Sequence, residues 1–137
     1  MPFIRVSVSG PTLTPQHIER LQTGVTDLMV SSLGKRRELT SVLIEQPQGG
    51  GWSIGGAPMG VAAHLNAKIT RGTNSTAEKA RFVAEAMALL RTVVGDALDD
   101  RTYVVVDEIT GDAWGYGGQT QDHRQEFAAA AAAAPSG

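Results

Sequence analysis

Gly51-Trp52-Ser53-Ile54-Gly55-Gly56 and Asp112-Ala113-Trp114-Gly115-Tyr116-Gly117-Gly118 are the two stretches from which the fold is read. Each holds a tryptophan and a Gly-Gly pair. Trp52 to Trp114 and Gly55-Gly56 to Gly117-Gly118 are both shifts of 62 positions. Glycines at this density mark a turn or hairpin, because they reach backbone angles closed to other residues. What precedes each stretch decides the architecture.

Upstream of the first, Ile4, Val6 and Val8 alternate with Arg5, Ser7 and Ser9, which is the period of a strand, until Gly10-Pro11 interrupts it. Thr14 suits a helix N-cap and Pro15 the first helical position. Ile18, Leu21, Val25, Leu28 and Met29 then recur at spacings of three and four, predicting one apolar helix face that ends near Leu33-Gly34. Ser41 to Glu45 predicts a second strand, closed by Pro47. The second stretch is preceded by the same succession. Val61 to Thr70 reads as a strand, and Ser75 caps a helix with Phe82, Val83, Met87, Leu90 and Val94 on its apolar face. Thr102 to Val106 reads as another strand. Thr14 to Ser75 and Leu21 to Phe82 are shifts of 61, so one inserted residue reconciles the two offsets. A strand, helix, strand and glycine hairpin occurring twice predicts an internal duplication with pseudo-twofold symmetry. Each unit predicts parallel strands joined by a right-handed crossover.

The domain expected from this pattern spans 1–118, with units at 2–58 and 61–118. Residues 119–137 differ: a polar run, then Phe127 ahead of seven alanines, Ala128 to Ala134. Alanine favours helix and Asp122 could cap one, but short isolated helices are marginal in water. A tail frayed or docked on a neighbour is expected, not a catalytic element.

A chain of 137 residues suits one domain. The lack of cysteine excludes disulfides, thiolate metal sites and cysteine nucleophiles. A net charge of -2 gives no reason to expect nucleic acid or an anionic membrane as partner. Lys35-Arg36-Arg37 reads as a solvated helix end complementing the helix dipole. His17, His64 and His123 lack metal-ligand spacing, so neither a metal nor a cofactor is expected. No apolar run approaches a membrane span, and Met1 to Arg5 lacks a signal peptide's charged start and apolar core. A soluble, cytoplasmic protein is expected. With 16 glycines and 5% aromatics, the chain needs further buried area, and oligomerisation is one source.

These residues resemble the tautomerase superfamily, the group of 4-oxalocrotonate tautomerase. The resemblance rests on Pro2 after the initiator methionine, the strand to Ser9, the Thr14-capped helix, Leu39-Thr40-Ser41-Val42, and the Gly51 to Gly56 hairpin. The duplicated layout is similar to cis-3-chloroacrylic acid dehalogenase and malonate semialdehyde decarboxylase, and the likeness covers roughly residues 2–118. It implies an α+β fold of the tautomerase and migration-inhibitory-factor type, with a four-stranded sheet and two helices on one face. It also implies a homotrimer with the sheets innermost, acting on a small carboxylate-bearing molecule.

The resemblance implies a catalytic Pro2. Removal of Met1 exposes a secondary amine, which burial keeps uncharged and able to carry a proton. Arg71 matches an arginine that binds a substrate carboxylate in the duplicated relatives, a task suited to its planar fork. Trp52 and Trp114 are candidates for an aromatic wall shielding the site. Departures narrow the chemistry. Arginines of the 4-oxalocrotonate enzyme correspond to Leu43 and fall near Thr12. A second arginine of the duplicated relatives is replaced by Asn74. The histidine and glutamate that activate water in the dehalogenase fall near Met29 and Gly115. Ala63 stands where the first unit has Pro2, so one proline site per subunit is expected. Keto–enol isomerisation is the leading expectation. The alternatives are decarboxylation, hydration or dehalogenation of a small three-carbon acid at the same proline, and a non-catalytic oligomeric member.

Overall fold

A computed structural model describes residues 2–48 and 50–133, with nothing said of the side chains of 131–133. Strand β1 (Phe3–Ser9) leads to helix α1 (Pro15–Ser31), a single 3₁₀ turn (Arg37–Leu39) and β2 (Ser41–Glu45). A small hairpin follows, β3 (Ser53–Ile54) and β4 (Ala57–Pro58). The second unit runs β5 (Ala62–Thr70), α2 (Thr76–Val94), β6 (Tyr103–Ile109) and a matching hairpin, β7 (Gly115–Tyr116) and β8 (Gln119–Thr120). Helix α3 (Gln121–Ala133) comes last.

The four long strands form one sheet in the order β2-β1-β5-β6. Both unit-internal pairs, β1 with β2 and β5 with β6, are parallel, as a strand–helix–strand connection requires. The units meet through antiparallel β1 and β5, where Arg5 lies opposite Asn66, its own equivalent 61 positions on. A local pseudo-twofold axis therefore passes through that pair. Strand alternation sets the faces. Ile4, Val6, Val8, Ala63, Leu65, Ala67 and Ile69 point to one side and are buried. There they join one core with Leu21, Val25 and Met29 of α1 and Phe82, Ala86 and Leu90 of α2. Both helices thus cover the same face. The other face carries Arg5, Ser7, Glu45, His64, Asn66 and Lys68 around a polar groove, with ion pairs Arg5–Glu45 (3.5 Å) and Lys68–Asp107 (3.2 Å).

The repeat holds at the level of local chemistry. Thr14 and Ser75 form matching capping boxes, each side chain accepting from the third helical N–H (His17 and Glu78). Gly55-Gly56 and Gly117-Gly118 share φ values of 61° and 81°, the left-handed pair that a two-residue hairpin turn demands. Trp52 and Trp114 each accept a backbone bond at 2.9 Å, from Met59 and Gln121, again 62 positions apart. The helices approach closely at Gly24, where a Cβ would lie 2.8 Å from a Leu89 methyl.

Three expectations need correction. Val83 is 39% exposed; the buried stripe of α2 turns instead through Ala86 and Val93. The second hairpin extends past Gly118 to Thr120. Consequently Thr120, not Asp122, caps α3, its hydroxyl accepting from His123 N–H at 3.1 Å. Among the described residues, no helix is long and apolar enough to cross a membrane.

The core assignment predicts that Phe82→Ala lowers the unfolding free energy by about 3–5 kcal/mol, whereas Val83→Ala changes it by about 0.5 kcal/mol. Paired urea denaturation curves test this; equal shifts would remove Phe82 from the centre of the core.

Candidate functional site

Pro2 precedes β1, and its carbonyl accepts a hydrogen bond from Ser41 N–H at 3.1 Å. That bond extends the β1–β2 ladder and fixes residue 2 at the sheet end. Antiparallel register places the start of β1 beside the end of β5, with Phe3 opposite Lys68. Pro2 is fully buried there and lines a cavity of about 440 Å³.

Three segments complete the cavity. The α1–β2 connection supplies Lys35, Arg36 and Leu39; the end of β5 and its loop supply Ile69, Thr70 and Thr73. The second hairpin and α3 supply Tyr116, Gln121, Arg124 and Gln125. The lining holds three cations and neither Asp, Glu nor His, in a chain whose net charge is -2. Among the described residues, no cluster of three or more His, Asp or Glu could hold a metal ion.

Lys35 owes its position to the helix end. Gly34 takes a left-handed φ of 67°, and Lys35 N–H reaches back to the Met29 carbonyl at 2.9 Å. The ammonium donates to the Thr73 hydroxyl at 2.8 Å, and that hydroxyl donates to the Thr70 carbonyl. Burial pushes the Lys35 pKa below its ordinary value, against the opposing pull of Glu78 and Glu108. Both carboxylates are engaged elsewhere, Glu78 on Ser75 N–H at 2.8 Å and Glu108 with Lys79. Arg36 is paired with Glu38, and Arg37 with Asp27 at 2.6 Å. Only Arg37 of the basic triplet stays outside the cavity lining. Arg36 is exposed, as a solvated helix end requires, whereas Lys35 is partly buried, and for Lys35 that reading is corrected.

Of the residues singled out from sequence, Pro2 lies at the cavity and Trp114 stands behind its wall, its indole N–H donating to the Thr70 hydroxyl at 3.3 Å. Trp52 sits beside the first hairpin, outside the lining. Arg71 is exposed and also outside the lining; its backbone N–H donates to the Ile109 carbonyl at 2.8 Å. The sequence does not mark Lys35, Arg36 or Arg124 as site residues. A short basic run gives no signal of which residues face a cavity, and Arg124 reaches it only because α3 follows the second hairpin.

The equivalent corner of the second unit is closed. Val8 and Thr12, 61 positions before the cavity residues Ile69 and Thr73, border a space of only about 30 Å³, shared with Leu13 and His17. Ala63 replaces Pro2 and Asp96 replaces Lys35 at the same offset.

A family model described as tautomerase enzyme matches residues 2–62. Probable tautomerase K2 of Dickeya dadantii (strain 3937) is 36% identical over 56 residues, spanning 41% of this chain and 84% of its own. Among solved structures, a wild-type fused 4-OT asymmetric trimer superposes with a TM-score of 0.78 at 19% identity, covering 89% of this chain and 98% of its own. N1, a member of the cis-3-chloroacrylic acid dehalogenase family, gives 0.76 at 15% identity, covering 97% and 92%. At these identities the structural likeness concerns the fold.

Folding disfavours the charged form of Lys35, so its cost to stability is greatest at neutral pH and below. It fades as pH rises from the lowered value toward that of a free lysine. Lys35→Met is therefore expected to keep or raise the melting temperature at pH 7. A lowered melting temperature would make Lys35 a structural residue instead.

Proposed function

The chain belongs to the tautomerase family, and we propose that it catalyses keto–enol proton transfer on a small carboxylate-bearing substrate with the Pro2 nitrogen as base and acid. The observation carrying this reading is a fully buried Pro2 at a cavity lined by three cations and no acid. Met1 lies outside the described residues, and the mechanism requires its removal.

A free α-amino group titrates at about 7.7–8.0. On this reading burial and the neighbouring cations Lys35 and Arg124, which have no salt bridge among the described residues, would both disfavour the charged form of a free Pro2 amine. The uncharged amine takes the proton alpha to the substrate carbonyl. Negative charge then develops on the carbonyl oxygen, where fixed cations favour it over the ground state. The protonated amine returns the proton to carbon or oxygen, leaving the base unchanged. The half-desolvated Lys35 ammonium receives the substrate carboxylate, an anchoring role that the sequence reading gave to Arg71. The assembly proposed is a homotrimer; Arg71 and Trp52 lie outside the cavity lining of the single subunit.

Isomerisation is favoured over hydration or dehalogenation by the lining itself. Activating water calls for a further base, and among the described residues no carboxylate or imidazole lines the cavity. Met29, near where the dehalogenase carries histidine, is fully buried in the core.

Ketonisation of phenylenolpyruvate, compared between wild type and Pro2→Ala, tests the proposal. Pro2→Ala is expected to lose roughly 10²–10⁴ in kcat, the scale of a general base. The wild-type pH profile should rise through an apparent pKa below that of a free amine, and intact mass should show Met1 absent. Equal rates in both proteins, or a retained Met1, would end the reading.

A further inference from the structure

Helix α3 has no counterpart in the first unit. Past the first hairpin, Met59 bonds to Trp52 and the chain runs directly into β5. Past the second, Gln121 makes the equivalent bond to Trp114 and starts a 13-residue helix. Three residues of its first five, Gln121, Arg124 and Gln125, line the Pro2 cavity. We infer that α3 is a recognition wall of this site, with Arg124 and Gln121 binding an acidic oxygen group of the substrate. The inference rests on the reading above for the location of the reacting amine.

Arg124 is held in place but not neutralised. Its guanidinium lies 3.7 Å from the Tyr116 ring centroid and donates through Nε and Nη2 to the Tyr116 carbonyl, at 3.3 and 2.9 Å. Stacking and two bonds to one acceptor fix its plane. Its remaining N–H groups have no carboxylate partner within 4.0 Å among the described residues. The acids of α3 do not serve: Asp122 lies against Gly111, and Glu126 is exposed and outside the lining. An ordered guanidinium without a counter-ion matches the planar geometry of a carboxylate.

Gln121 supplies an independent observation. Its Nε2 is the one buried side-chain nitrogen or oxygen without a hydrogen-bond partner among the described residues. Buried donors are almost always satisfied, and an exception calls for an explanation. Gln121 lines the cavity, and a turn of its side chain that brings Nε2 to the cavity surface would give it a ligand oxygen as partner. Lys35 belongs to a different segment, at the end of α1, so α3 adds a second polar arm to the site.

The test separates recognition from chemistry by measuring phenylpyruvate binding calorimetrically in a Pro2→Ala background. Arg124→Ala is expected to weaken binding roughly tenfold or more, the scale of a hydrogen bond to a charged group. Arg124→Lys should recover only part of the loss, because a lysine lacks the planar fork. Gln121→Ala should weaken binding several-fold. Arg20→Ala, a cation outside the cavity, controls for net charge and should bind like its parent. Unchanged affinity in Arg124→Ala, or an equal loss in Arg20→Ala, overturns the inference. Were Arg124→Ala unfolded, unchanged affinity in both Arg124→Lys and Gln121→Ala would overturn it. A parent that binds neither phenylpyruvate nor maleate does so too. Turnover in Pro2→Ala would overturn the proline mechanism alone, since the affinity series still decides the role of α3.

Discussion

The antiparallel pairing of β1 with β5 is the constraint from which the rest of the molecule follows. Neither unit alone can bury its strand on both edges or give its helix a full partner. Pairing Arg5 with Asn66 sets the register of both units at once, because a slip of one residue would turn Ile4, Val6 and Val8 away from the helices. The same register decides where chemistry can occur. It brings the beginning of one unit beside the end of the other unit's first strand, so Pro2 meets Ile69 and Thr70. Gly24 shows how close the units come on the helix side, where even one methyl group would press on Leu89.

Electrostatics, more than shape, distinguishes the Pro2 cavity. Its lining gathers three cations in a chain with an overall negative charge; Arg36 is paired with Glu38, but Glu78 and Glu108 beside Lys35 are occupied by a capping bond and by Lys79. Such an arrangement is unfavourable while empty, since it holds like charges together and draws one of them out of water. A bound anion relieves both costs. On the proposed reading, the same cations discourage protonation of a neighbouring amine, so that anion affinity and the uncharged state of Pro2 would arise from one set of residues.

Much of this fold is legible in sequence, because the elements rest on local chemistry. Ser or Thr before a helix, Pro at its first position and Gly-Gly in a hairpin act within a few residues, and their recurrence reinforces each unit. Val83 was misplaced because valine at a flanking position and alanine at Ala86 compete for the same stripe, and packing against α1 and the sheet decides. Thr120 rather than Asp122 caps α3 because β8 adds two residues that composition does not announce. The site is less legible than the fold. Pro2 stands out by its position, but Lys35 and Arg36 look like any solvated basic run. Arg124 enters through the path of α3, a non-local outcome.

The two halves share a plan but not a fate. At the corner related to the Pro2 cavity by the duplication, leucine and histidine side chains crowd the space, alanine stands for proline, and an aspartate stands for the lysine. On the proposed reading, an assembly of such chains would hold as many reaction chambers as it has subunits, half the number its repeated architecture could accommodate. Reopening the silent corner would require reversing a charge as well as excavating a void.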